Sequence, residues 1–134
     1  MTTKPAVVFA LVGAVLLGTA DRALAQQPST KVYWLAVTDV PLGKLAEYHA
    51  FVQTDLKPLQ EKHGYKFVAV WQTIVGDIQQ VVIIAEFESM ATYHQARVSL
   101  LASPEWRAHS AKFDALTRGI RTSFLSATPY SPLK

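Results

Sequence analysis

Residues Lys31 to Thr38 read KVYWLAVT. The run is rich in Val, Tyr, Trp and Leu, which predicts a β-strand. Successive side chains of a strand point to opposite faces. Here Tyr33, Leu35 and Val37 fall on one face, and Val32, Trp34 and Ala36 on the other. Both faces are apolar, so the strand has to be covered on both sides. The chain's own helices would form one cover. The other would be a second layer, and no sequence remains in the chain to make it.

The rest of the sequence supplies those helices. Asp39 to Gly43 reads as a turn and the start of a helix, with Pro41 tolerated in a first turn. Leu45, His49, Val52, Leu56 and Leu59 then recur at i, i+4, i+7, i+11 and i+14, one face of an amphipathic helix. Pro58 should kink that helix or restart a turn, and His63-Gly64 should stop it. Tyr65 to Ile74 predicts a second strand, with Tyr65, Phe67, Ala69 and Trp71 on one face and Lys66, Val68, Val70 and Gln72 on the other. Gly76-Asp77 marks a hairpin, and Gln79 to Phe87 a third strand.

Ser89 is placed to cap a second helix. Its stripe holds Met90, His94, Arg97 and Leu101, with Tyr93, Val98 and Leu100 beside it. Ser103-Pro104-Glu105 supplies an N-cap, a first-position proline and an acidic first turn, so a helix restarts there. Trp106, His109, Phe113, Leu116 and Ile120 form its apolar face, Arg121 to Ala127 a fourth strand, and Thr128 to Lys134 a proline-punctuated tail. The order β-α-β-β-α-β is the ferredoxin-like arrangement of an α+β domain. Its sheet carries helices on one face only. Homodimerisation, sheet face to sheet face, would cover the other.

Met1 to Ala25 reads differently. Lys4, an apolar run from Ala6 to Leu17 and the end Ala23-Leu24-Ala25 describe a secretory signal peptide cleaved after Ala25. The run is short of the roughly 20 residues a bilayer needs, so no stable membrane span is expected after cleavage. The expected product is periplasmic or secreted, with residues 26–134 as one domain. An uncleaved anchor is the alternative. Setting aside Lys4, Arg22 and Asp21 leaves 11 basic and 9 acidic side chains. That balance lacks the clustered positive charge of a nucleic-acid binder. The chain has no cysteine, which excludes disulfides and thiolate chemistry.

Five segments carry a resemblance. Pro41-Leu42-Gly43-Lys44-Leu45-Ala46-Glu47-Tyr48 resembles the "PGKLAEY" start of the first helix in the NIPSNAP family. Leu59 to Gly64 resembles its "LxxxHG" helix close, and Trp71 with Gly76-Asp77 its strand and hairpin. Ser103-Pro104-Glu105-Trp106 is similar to its "DPEW" restart, and Thr128 to Leu133 to its "APFSPL" close. The resemblance runs from about Lys31 to Leu133. It implies a protomer of the dimeric α+β barrel superfamily, whose two sheets form a barrel. It implies little about activity, since bacterial members mostly have no assigned reaction and mitochondrial relatives act as interaction proteins. Neighbouring families on this fold include cofactor-free and haem-degrading monooxygenases and muconolactone-type isomerases. The signal peptide departs from the family pattern.

Chemistry is thinly marked. His49, His94 and His109 fall on apolar helix faces. Each is either a core or rim residue with a hydrogen-bond partner or a group facing a pocket between sheet and helices. In a pocket, His49 or His109 could act as general base, because imidazole titrates close to neutral pH. His63 reads as a helix-end residue. No histidine pair has metal-ligand spacing, so no metal is expected. Haem would need only one axial ligand, and His94 beside Arg97 could serve, but nothing points to it and no cofactor is expected.

Trp34, Trp71, Trp106, Tyr33, Tyr48 and Tyr93 form a dense aromatic set. They are either core and interface packing or the walls of a flat pocket. Arg97 is either a snorkelling surface residue or an anchor for an anion. The expected function is binding of a small hydrophobic or aromatic molecule, or of a partner protein, with Tyr48, Trp71, Tyr93, His94, Arg97 and Trp106 as candidate contacts. The alternative is a small cofactor-independent monooxygenase or isomerase with His49 or His109 as base. Glycine-rich phosphate loops and G-x-S-x-G are absent from the sequence, which disfavours nucleotide chemistry and covalent hydrolysis.

Overall fold

The computed structural model describes residues 30–133, and the expected signal peptide lies outside them. Strand β1 (Val32–Asp39) leads through the turn at Leu42-Gly43 into helix α1 (Leu45–Phe51). A π-helical segment (Val52–Leu56) joins α1 to α2 (Lys57–Lys62) without a break. Strands β2 (Lys66–Gln72) and β3 (Gln80–Phe87) follow, then α3 (Met90–Ala102), α4 (Pro104–Ala115) and β4 (Gly119–Leu125). The sheet order is β2-β3-β1-β4, and every neighbouring pair is antiparallel. This is the ferredoxin-like α+β protomer expected from the sequence.

The π segment answers what Pro58 demands. A proline has no N–H to donate, and its ring collides with the carbonyl four residues back. The turn before it widens instead of breaking. A wider turn also changes which residues align. Tyr48, Val52, Leu56 and Gln60 are all buried, although in a regular α-helix Gln60 would lie about 120° round from Tyr48. The helix ends at His63 and Gly64, where Gly64 takes φ 98°, a conformation that side chains with a Cβ disfavour.

Helix α3 starts where Ser89 Oγ accepts from Thr92 N–H at 3.2 Å. It stops one residue before Ser103, whose Oγ accepts from Trp106 N–H at 3.1 Å and so opens α4. The proline that follows Ser103 occupies a first-turn position, where its missing donor costs nothing. The buried side of α3 runs through Ala96 and Leu100, with Tyr93 half-buried. That corrects the stripe read from the sequence, since Met90, His94, Arg97 and Leu101 are exposed.

The helices cover one sheet face. On it lie Trp34, Ala36 and Thr38 of β1 and Val81, Ile83, Ala85 and Phe87 of β3, all buried. Edge-to-face ring contacts run from Trp34 to Tyr65 (5.6 Å), Tyr65 to Phe87 (4.9 Å), Phe87 to Tyr93 (5.2 Å) and Tyr93 to Phe124 (4.6 Å). Such pairs add to the area they bury, so the ladder fixes how α3 sits on the sheet. Helix α4 leans on the first helix through Phe51 and His109, 6.0 Å apart, and Lys62 of α2 reaches Glu105 of α4 at 2.6 Å. The Lys62 ammonium holds the Glu105 carboxyl below the usual carboxylate range.

Two face assignments differ from the sequence reading. The pairing of β2 with β3 shifts register between Phe67 and Ala69. After that bulge, Val70 and Gln72 stand opposite Ile83 and Val81 on the helix side, while Ala69 and Trp71 stand opposite Ile84 and Val82 on the other. An extra residue in one strand reverses the alternation beyond it. Trp71 is therefore 56% exposed on the helix-free face. That face is also not bare of its own chain. Ser126, Ala127, Thr128, Ser131 and Leu133 border a hollow of about 240 Å³ together with Tyr33, Ile84 and Leu125. The tail lies over one end of the sheet, and Tyr33 is buried there.

Candidate functional site

Between the helices and the sheet lies a cavity of about 370 Å³. Its floor is β-sheet: Trp34, Ala36 and Thr38 from β1 and Ile83 from β3. One wall comes from the first helix, where Tyr48, Leu56 and Gln60 face inward on the stripe that the π segment aligns. The opposite wall is Tyr93 and Leu100 of α3 with Trp106 and Phe113 of α4. Arg97, Leu101, Ile120 and Thr122 are exposed and form the rim. Helix α4 contributes only half-buried side chains to this wall, which is the side on which the helix layer covers the sheet most thinly.

The lining is mostly aromatic and aliphatic, but a few polar atoms interrupt it. Trp34 and Gln60 border the cavity, with Nε1 and Oε1 themselves buried and without a hydrogen-bond partner among the described residues. Leaving such atoms unpaired costs about 1–3 kcal/mol each, so each needs an explanation. Burial pushes the Tyr48 phenol above its ordinary range, with Thr38 working the other way. Burial pushes Tyr65 up to about 12, with Tyr93 adding to the rise, while the nearby Arg97 guanidinium works the other way. Arg97 makes no ion pair with a carboxylate among the described residues.

Of the candidate contacts, Tyr48, Tyr93, Arg97 and Trp106 come together around this cavity. Trp71 lies on the opposite face of the sheet, and His94 is exposed on α3 and is not among the lining residues. His49 and His109 do not line the cavity either. His49 Nε2 hydrogen-bonds to Gln72 Oε1 at 3.0 Å, tying α1 to β2, and His109 packs on Phe51. His63 caps the end of α2, with Nδ1 2.8 Å from Ser99 Oγ. Among the described residues no three His, Cys, Asp or Glu side chains converge as metal ligands would. No helix there is long and apolar enough to cross a membrane.

The sequence reading missed Gln60 and Tyr65 as cavity residues. A glutamine one turn after Leu56 and next to Leu59 interrupts an apolar stripe, which was a readable signal for Gln60. Tyr65 stands just before β2, where a face cannot be assigned by strand alternation.

The profile of the NIPSNAP family matches residues 33–132. Among solved structures, a NIPSNAP family protein with unknown function from Agrobacterium tumefaciens is 22% identical. The match covers 79% of this chain and 96% of that one, with a TM-score of 0.75. An uncharacterized NIPSNAP-like domain protein from Burkholderia xenovorans is 20% identical, over 78% of this chain and 90% of that one, at 0.73. SnoaB, a cofactor-independent oxygenase from Streptomyces nogalater, is 20% identical over 77% of this chain and 98% of that one, at 0.58. No curated protein matched the sequence. These structures share the fold of this chain, and the family profile spans most of it. The protein belongs to the NIPSNAP family.

Proposed function

We propose that this protein binds a small, flat, largely apolar molecule in the cavity between sheet and helices. The observation that carries the reading is the combination of about 370 Å³ of space, aromatic walls and the polar side chains of Thr38, Thr122 and Arg97 among the lining residues. Ligand sites have this character: apolar linings with a few placed polar groups. The binding protein is an exported homodimer in this reading. Export rests on the sequence of residues 1–25. Self-association rests on the apolar side chains of Leu35, Val37, Val82 and Ile84, which the single chain leaves only half-buried. The alternative, an oxygenase or isomerase, needs a base in the cavity. No histidine lines it, so binding has the better geometric support.

Calorimetric titration with neutral 2-naphthol tests the reading. One saturable site per chain is expected, and it should vanish in Thr122→Trp, which fills the rim from an exposed strand position. No binding, or unchanged binding in that variant, would overturn it.

A further inference from the structure

We infer that two copies of this chain pack through the helix-free side of the sheet with Trp71 of each copy seated in the hollow beside the tail of the other. This rests on the self-association proposed above and names the contact that fixes how the copies sit.

Strand pairing lays that face out as a grid. One row reads Trp71, Val82, Val37 and Arg121 across β2, β3, β1 and β4. The next is Ala69, Ile84, Leu35 and Ser123, and the third is Lys66, Glu86, Tyr33 and Leu125. The first and third rows are four residues apart along β1, and β2 and β4 are three strand spacings apart. Both distances come to about 14 Å, so the grid is close to square. Its centre is aliphatic, and its corners are of different kinds. Trp71, 56% exposed, stands at one. The opposite corner, at Leu125, borders the hollow of about 240 Å³ with Tyr33, Ile84 and the tail. That is several times the roughly 30 Å³ share of one water, so the hollow has room for a ring. The two remaining corners hold ion pairs: Arg121 with Asp39 at 3.0 Å, and Lys31 and Lys66 with Glu86 at 3.3 and 3.9 Å.

Two identical faces pair about a two-fold axis lying between them, and a group at one place then meets whatever stands at its image. A square offers four such axes. An axis along the strands sets Trp71 on the partner's Arg121, and one across them sets it on the partner's Lys66. Either also brings a charged corner onto the hollow. The axis that joins Trp71 to the hollow sets ring on ring and leaves both hollows unfilled. The axis that joins the charged corners seats Trp71 in the partner's hollow twice over. It also returns each ion pair to its own image, where both signs find a counterpart. This arrangement fills the voids, buries a large ring and sets no charge on an apolar group, so packing density and desolvation favour it. The strands of the two copies then cross at near right angles, one of the two ways in which sheets pack. Ile84 belongs both to the hollow and to the aliphatic centre, so the hollow is continuous with the interface.

Sedimentation equilibrium of two variants tests the contact. Trp71→Ala removes the ring, and Ala127→Trp plugs the hollow from the tail. Each alone is expected to weaken self-association about tenfold or more. An equimolar mixture of the two is expected to regain it. In the mixed dimer one contact is whole, and the other joins the missing ring to the plugged hollow. A general loss of stability does not produce such recovery. Ser131→Trp plugs the same hollow if Ala127→Trp does not fold. A wild-type dimer whose association neither plug weakens, or a mixture no tighter than the variants apart, overturns the inference and leaves self-association standing. A wild-type chain that stays monomeric at every concentration reached overturns both together.

Discussion

On the helix side of the sheet, Ala36, Thr38, Val81 and Ala85 are all but inaccessible. On the other side Leu35, Val37, Val82 and Ile84, from the same two central strands, keep part of their surface in solvent. Both sets are largely apolar, the helix side with the smaller side chains. What differs is the cover: helices packed through an aromatic ladder on one side, and only residues 126–133 across one end on the other. The first face is completed within the chain and encloses a cavity. The second is left for something else to complete. The comparison separates two faces that composition alone would merge, a packed interior with a cavity and a sheet surface left partly in solvent.

The hardest blow to this contrast should come from Phe51→Ala. Phe51 is fully buried under α4, so truncation should cost about 3–5 kcal/mol in denaturant unfolding. A cost below about 1 kcal/mol would mean the helix face is not the packed one.

Alkaline pH sharpens the same contrast more gently. Tyr65 has its phenol raised to about 12 chiefly by burial, against an ordinary value of 10.0. A raised folded value means the stabilising difference is complete below pH 10 and is lost as pH climbs toward about 12. Stability should fall in that window by on the order of 2 kcal/mol, followed by circular dichroism. Tyr65→Phe should flatten that fall, although Tyr48, also raised by burial, keeps some slope. An unchanged slope in Tyr65→Phe would mean the tyrosine is solvated.

Ser103→Ala removes the cap that separates α3 from α4 and should cost about 1 kcal/mol in thermal unfolding. Because Trp106 follows directly, the same variant should weaken 2-naphthol binding, and intact binding would show that the wall does not depend on the cap.

The smallest effect is expected on the helix-free face. Trp71→Ala should change intrinsic stability by no more than about 0.5 kcal/mol, since the side chain is 56% exposed. It should instead weaken self-association in sedimentation. A large intrinsic loss would place Trp71 inside the chain's own packing, and an unchanged association constant would take it out of the proposed interface.

The order of elements was legible because each was punctuated locally. Ser89 and Ser103 cap helices through their own hydroxyls, Gly64 ends one through its positive φ, and Pro104 sits where a helix tolerates it. These are interactions within a few residues, and a sequence shows them directly. The site was legible only in part. Tyr48, Tyr93, Arg97 and Trp106 were named from residue type and do surround the cavity. Gln60 and Trp71 were misread or missed because their positions depend on a count that local pattern cannot supply. The π segment turns Gln60 inward, and the bulge after Phe67 turns Trp71 outward.

The sequence by itself therefore determined the fold, the family and the need for cover on both faces of the sheet. The fold and the need for cover follow from alternation, capping and proline chemistry, all local, and the family from the resemblance of five short motifs in order. Tertiary structure alone decided which aromatic rings enclose space, that Arg97 stands at the rim near Tyr65, and that among the described residues Trp34 Nε1 and Gln60 Oε1 are left without partners. Those depend on one residue inserted into a strand, one widened helical turn and the packing of α3 against the sheet, and each changes which way distant side chains point.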